Sequence, residues 1–181
     1  MNRKNNWYEK ILKSLSKLWQ SILKTDNAQK PDTNIVFVVS DNFKTDTSET
    51  ATVKISGANH LFKKYFFGLC EKTKNTPIQY GYLDHQKDHF NPKKIIANLG
   101  GESKVITTMF GIYQLMKHQK SGQRQAILHK GHPNIFCVRD TSGIPRTVIT
   151  TWFNEGWNLN TLSIDDTYKW GGRFRIFYPR F

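Results

Sequence analysis

His129-Lys130-Gly131-His132 sets two imidazoles around a lysine, and His118, Lys120 and Arg124 stand just before it. Three imidazoles and three cations thus fall within fifteen positions. Imidazole exchanges protons near neutral pH, and a neighbouring lysine or arginine stabilises the charge that builds on a phosphorane-like transition state. Metal-free RNA cleavage by 2′-hydroxyl attack needs little more. In that reading His129 and His132 are the acid–base candidates, and Arg139 or Arg146, in the strands that follow, stabilises the transition state. The same residues also read as a basic loop that contacts phosphate without chemistry, or as a solvated turn.

Small ribonuclease toxins place such residues on a helix followed by an antiparallel sheet. This chain is expected to share that order of elements, which is an architectural analogy and not a family match. Two other sets compete with the histidine cluster. In Asp84-His85-Gln86-Lys87-Asp88-His89, His85 and His89 are four apart, the spacing of a zinc pair on a helix. Neither a glutamate after the first histidine nor a third ligand is evident, and Pro92 follows closely, so a polar turn is the expectation and no metal is assigned. At the C-terminus, Trp152, Trp157, Tyr168, Trp170, Arg173, Phe174, Arg175, Phe177, Tyr178 and Arg180 mix aromatics with arginines. Alternation along the last strand puts Arg173, Arg175 and Phe177 on one side and Phe174, Ile176 and Tyr178 on the other. One side is expected in the core. The other either offers arginines and an aromatic ring to a single strand, as sheet-based RNA binders do, or is a solvated strand edge.

Whole-chain charge favours the nucleic-acid reading. The 181 residues carry 27 Lys and Arg against 14 Asp and Glu, a net charge of +13, with 13% aromatic residues. Such an excess costs self-repulsion in the fold and points to a polyanionic partner: RNA, DNA or an anionic membrane face. A generally lysine-rich proteome would give the same surplus without a partner. The scarcity of carboxylates disfavours acid-pair hydrolases and calcium sites. Gly100-Gly101-Glu102-Ser103 lacks the spacing and the lysine of a P-loop, and no Gly-x-Ser-x-Gly is present. Cys70 and Cys137 are two cysteines in apolar patterns, expected to be small buried hydrophobes in a reducing, cytoplasmic setting. No run approaches a membrane span, and lysines interrupt any signal-peptide core at the N-terminus.

The elements that must position these residues come from periodicity. Trp7, Ile11, Leu12, Leu15, Leu18, Trp19, Ile22 and Leu23 recur at three and four, which predicts an amphipathic helix over residues 1–24 with Lys10, Lys13, Lys17 and Lys24 opposite the stripe. That stripe, Trp7 to Leu23, packs on its own domain, docks a partner protein or lies on a membrane surface. Residues 25–33 read as a linker. From Asn34 the run Ile35 to Val39 predicts a central strand, and Ala51 to Ile55 a second strand hairpinned to it. Asn59 to Lys72 and Ser103 to Lys120 predict helices, with Leu61, Phe62, Tyr65, Phe66, Leu69 and Cys70 on the first stripe. Ile78 to Leu83, Asn134 to Arg139, Arg146 to Phe153, Trp157 to Ile164 and Phe174 to Tyr178 predict strands.

The sequence therefore predicts an α+β domain over residues 34–181, a mostly antiparallel sheet with two helices packed on one face, preceded by the amphipathic N-terminal helix. Its expected function is binding of nucleic acid, RNA in preference to DNA, through backbone and aromatic contacts. Lys63, Lys64, Lys93, Lys94, Arg124, Lys130, Arg173 and Arg175 are the expected phosphate contacts, and no cofactor is implied. The alternatives are the metal-free ribonuclease and a membrane-surface or partner-docking protein.

Overall fold

A computed structural model describes residues 34–74, 78–85, 89–119, 127, 131–166, 168–169 and 173–180. The expected amphipathic helix and linker, with His129, Lys130 and Arg124, lie outside the described residues. The chain splits into units 1–33 and 34–181, and the second is described here. Its elements run β1 (Asn34–Val38), α1 (Val39–Asn42), β2 (Ile55–Ala58), α2 (His60–Phe66), β3 (Cys70–Lys74), β4 (Tyr80–His85), β5 (His89–Phe90) and α3 (Pro92–Asn98). They continue as α4 (Glu102–Val105), β6 (Ile106–Thr107), α5 (Met109–His118), β7 (Asn134–Arg139), β8 (Pro145–Phe153), β9 (Gly156–Ser163), β10 (Tyr168–Lys169) and β11 (Phe174–Pro179).

The run Asn-Ile-Phe-Cys-Val of β7 is apolar on both sides, so it must be covered on both sheet faces. It lies inside a seven-stranded sheet of order β2-β9-β8-β7-β11-β4, with every residue but Arg139 buried. The sheet is mixed. The long ladders β7/β8, β8/β9 and β11/β4 are antiparallel, while β2/β9, β7/β11 and β6/β7 are short and parallel. β11 pairs β7 only at Asn134 and Ile135; β6 takes over at Cys137 and Val138. β8 and β9 are joined by Asn154 and Glu155, both at positive φ (48° and 68°), as a two-residue hairpin loop of this hand requires.

Helices cover both faces. Phe62 and Phe66 of α2, and Met109, Ile112 and Met116 of α5, share one core with Phe136, Val138, Val148, Trp157, Leu159 and Phe177 of the sheet. On the opposite face Ile95 and Leu99, from α3 and its end, pack on Ile135, Ile149, Phe174 and Ile176. The expectation of helices on one face holds for α2 and α5 and misses α3. Asn91 caps α3 by accepting the Lys94 amide at 3.0 Å, and Pro92 starts it.

Five expectations change. Ile35–Val39 does not form a central strand: β1 pairs β3 alone, and Val36 is 62% exposed. The second strand is β2, and it pairs β9 rather than β1. The helix expected to run to Lys72 stops at Phe66, because Gly68 turns the chain at φ +87° and β1 then captures Cys70–Lys74 as a strand. Cys70 is consequently exposed, whereas Cys137 is buried and its thiol is pushed up to about 12 by burial. The helix expected over Ser103–Lys120 breaks at Ile106–Thr107, which pair β7; Thr108 then caps α5 by accepting the Gly111 amide at 3.0 Å. The Glu71 carboxylate accepts the Met109 and Phe110 amides at 2.9 and 2.8 Å, so the start of α5 is held by two side chains from outside the helix body.

Candidate nucleic-acid interface

A groove of about 380 Å³ lies on the α2/α5 side of the sheet. One wall is the turn and strand entry Glu49 to Lys54; the other is the end of α5 with Met116, Lys117 and Gln119; Trp152 and Trp157 complete it. The groove exists because each wall is pinned. Trp157 donates its amide to the Lys54 carbonyl at 2.8 Å. The buried Gln119 side chain donates to the Ile127 carbonyl at 2.7 Å and accepts the Ile127 amide at 2.8 Å. The Ser48–Ala51 turn is closed by the Ala51 amide on the Ser48 carbonyl at 3.2 Å, and the Asp46 carboxylate accepts the Ser48 amide at 3.0 Å. Trp157 is buried and meets Trp152 edge-on, with centroids 5.1 Å apart at 78°, while Trp152 stays partly exposed. Lys117 and Glu49 are exposed and Lys54 is half-buried.

The ribonuclease constellation is not assembled among the described residues. His132 is exposed just before β7, and the Gly131 amide bonds the Trp152 carbonyl at 3.0 Å, which puts this turn at the Trp152 end of the sheet. Arg139 ends β7 five residues beyond Asn134, about 16 Å away at the rise of a strand. Arg146 sits beside it, paired across from Val138. Both guanidiniums are also occupied. Arg139 donates to Glu102 at 2.9 Å and to the Gly143 carbonyl at 2.8 Å. Arg146 donates to the buried Asp140 at 2.9 Å and lies over the Tyr65 ring at 3.9 Å. They fasten the β7–β8 turn, in which Asp140 also accepts the Ser142 and Ile144 amides.

The expected phosphate contacts divide in the same way. The last strand keeps Arg175 from solvent, because its two faces are both buried and Arg175 is only 6% exposed, whereas Arg173, just before the strand, is exposed. Arg175 stacks over Tyr82 at 3.8 Å and grips Asp84 through two hydrogen bonds; Arg173 adds a third at 2.5 Å. The Arg175 hydrogen bond, helped by Arg173, holds the Asp84 carboxyl below the usual aspartate range. Lys93 and Lys94 are exposed on α3, on the face opposite α2, and Lys93 pairs Asp165 at 3.3 Å. Lys63 and Lys64 are exposed on α2, on the same side of the sheet as the groove. His85 stacks flat on Phe174 at 5.0 Å, and no metal-ligand cluster occurs among the described residues.

Lys54 and Glu49 went unnoticed in the sequence, because nothing in their spacing says that this loop faces Trp152. In sequence Lys117 is one more cation in the last turn of a helix, and Trp152 one aromatic among several. Comparison with known proteins finds no family model, no curated protein and no solved structure that matches this chain. No helix among the described residues is long and apolar enough to cross a membrane.

Proposed function

We propose that this protein binds single-stranded nucleic acid, RNA in preference to DNA, through lysine contacts to phosphate on the α2/α5 side of the sheet. One observation carries the reading: four arginines are matched to fixed carboxylates, while four lysines on the α2/α5 side are not. Arg139, Arg146, Arg173 and Arg175 are bound to Glu102, Asp140 and Asp84. Lys54, Lys63, Lys64 and Lys117 have no acidic partner among the described residues. Arginine's planar fork suits fixed carboxylates, whereas an ammonium is a mobile point charge suited to a phosphate chain of variable path. Unbalanced lysine charge of this kind gives backbone contact with little sequence readout. The partly exposed Trp152 suits the unstacked bases of a single strand.

The test is fluorescence anisotropy with a labelled 20-nucleotide RNA, for the whole protein and for a Lys63→Glu, Lys64→Glu variant. The whole protein should bind, and the variant should bind more weakly with a shallower salt dependence. Equal binding by both would remove the reading.

A further inference from the structure

We infer that the Trp152 groove holds one unstacked nucleobase and favours guanine, with Glu49 reading the base edge. This deepens the proposed function and rests on it. The volume, about 380 Å³, lies at the low end of ligand sites (roughly 300–1,000 Å³), so it suits one nucleotide and excludes a duplex. Trp152 supplies an aromatic surface, and its orientation is set by the buried Trp157 beneath it. A tryptophan braced in this way can stack on a base without first being ordered.

The polar groups around the groove differ in sign according to position. Lys117 and Lys54 stand at opposite walls and suit the phosphates on either side of an inserted base. Glu49 is an exposed carboxylate with no hydrogen-bond or ion-pair partner among the described residues. Beside a phosphate chain such a group is repulsive unless the ligand brings donors to it. The wall facing it is the C-terminal turn of α5, the negative end of that helix dipole. A carboxylate opposite the negative end of a helix selects a base edge that carries donors. Guanine carries N1–H and N2–H side by side on one edge and meets both carboxylate oxygens at once. Adenine and cytosine offer one amino group there, and uracil a single N–H. A bidentate pair of this kind commonly discriminates by about tenfold or more.

The experiment measures binding of the full protein to labelled heptaribonucleotides UUUGUUU, UUUAUUU and UUUUUUU, with a 20-nucleotide RNA and a 12-base-pair RNA duplex alongside. UUUGUUU should bind about tenfold more tightly than UUUUUUU, and its addition should quench tryptophan fluorescence. Glu49→Gln, on an exposed turn, should erase the guanine preference, so that UUUGUUU binds no more tightly than UUUUUUU. Trp152→Leu should weaken all three heptamers and leave the duplex affinity unchanged, with circular dichroism verifying the fold. Equal affinity for the three heptamers, or a guanine preference that survives Glu49→Gln, overturns the base site while the phosphate-binding reading stands. Failure to bind the 20-nucleotide RNA at low salt overturns both.

Discussion

Arg175 and Asp84 face each other across the β11–β4 ladder and are joined by two parallel hydrogen bonds, Nε to Oδ1 at 2.7 Å and Nη2 to Oδ2 at 3.0 Å. The planar guanidinium is held from its other side by the Tyr82 ring. This pair fixes the last strand of the sheet to its neighbour. It also takes Arg175 out of any interface, so the surplus charge of the described residues falls to lysine.

Replacing Asp84 with Asn keeps the shape and removes the charge. Arg175, with its side chain 7% exposed, then loses its counter-ion. Because Asp84 is itself 35% exposed, solvent screens part of the interaction, and the expected loss is about 1–2 kcal/mol rather than that of a fully buried pair. Urea denaturation followed by far-UV circular dichroism checks it. RNA affinity should not change, since Arg175 touches no ligand in this account.

Acid should unfold the domain through Asp84 and Asp140. Asp84 is held low by Arg175 first and then Arg173. At Asp140 burial pushes upward, but the Arg146 hydrogen bond and the Ile144 and Ser142 amides outweigh it, and the net shift is downward. A carboxyl lowered in the folded state adds stability above the usual aspartate range, and that stability disappears as pH falls through the lowered values. Glu71 acts in the opposite sense. Burial raises it despite the Phe110 and Met109 amides, so its contribution is present below its unfolded value and is lost as pH rises through the raised one. The urea midpoint should therefore fall between about pH 5 and pH 2, and Asp84→Asn should make that fall shallower. An identical acid limb in the variant would remove Asp84 as a contributor.

Gly111 in the first turn of α5 leaves room for the Tyr80 hydroxyl, which is hydrogen-bonded to Thr107. A Cβ there would meet that hydroxyl and come within 2.8 Å of Ile78 Cδ1. Gly111→Ala should cost about 2–3 kcal/mol as an overpacked site. Combined with Tyr80→Phe, which removes the obstructing oxygen, the loss should be smaller than the sum of the two single changes. Strict additivity in a thermal-melt double-mutant cycle would contradict the contact.

The strands of the C-terminal half were legible because their residues alternate or are apolar throughout. Asn134 to Arg139 falls where β7 lies, and β8, β9 and β11 begin and end within a residue or so of the expected bounds. What failed was decided by distant partners. Cys70 continues a helical stripe in sequence and Glu71 lies on the polar side of the same expected helix, yet β1 offers both a ladder and α5 offers Glu71 two amides. Ile106 and Thr107 interrupt a helix for the same reason: β7 has an open edge beyond the reach of β11. The candidate site was less legible. Alternation gave the right parity for Arg175 and Phe177, but parity does not say that a second layer covers both sides of the strand. The arginine partners Glu102, Asp140 and Asp84 could not be read from spacing, and two of them lie 37 and 91 residues from the arginines they hold.

Salt dependence of RNA binding tests the central claim most directly. With Lys54, Lys63, Lys64 and Lys117 as the contacts, log affinity should fall against log salt with a slope of about −3, which is roughly a 50-fold loss between 50 and 200 mM salt. Lys63→Glu, Lys64→Glu should flatten the slope to about −1.5. An affinity for the 20-nucleotide RNA that stays constant across that range would contradict the account.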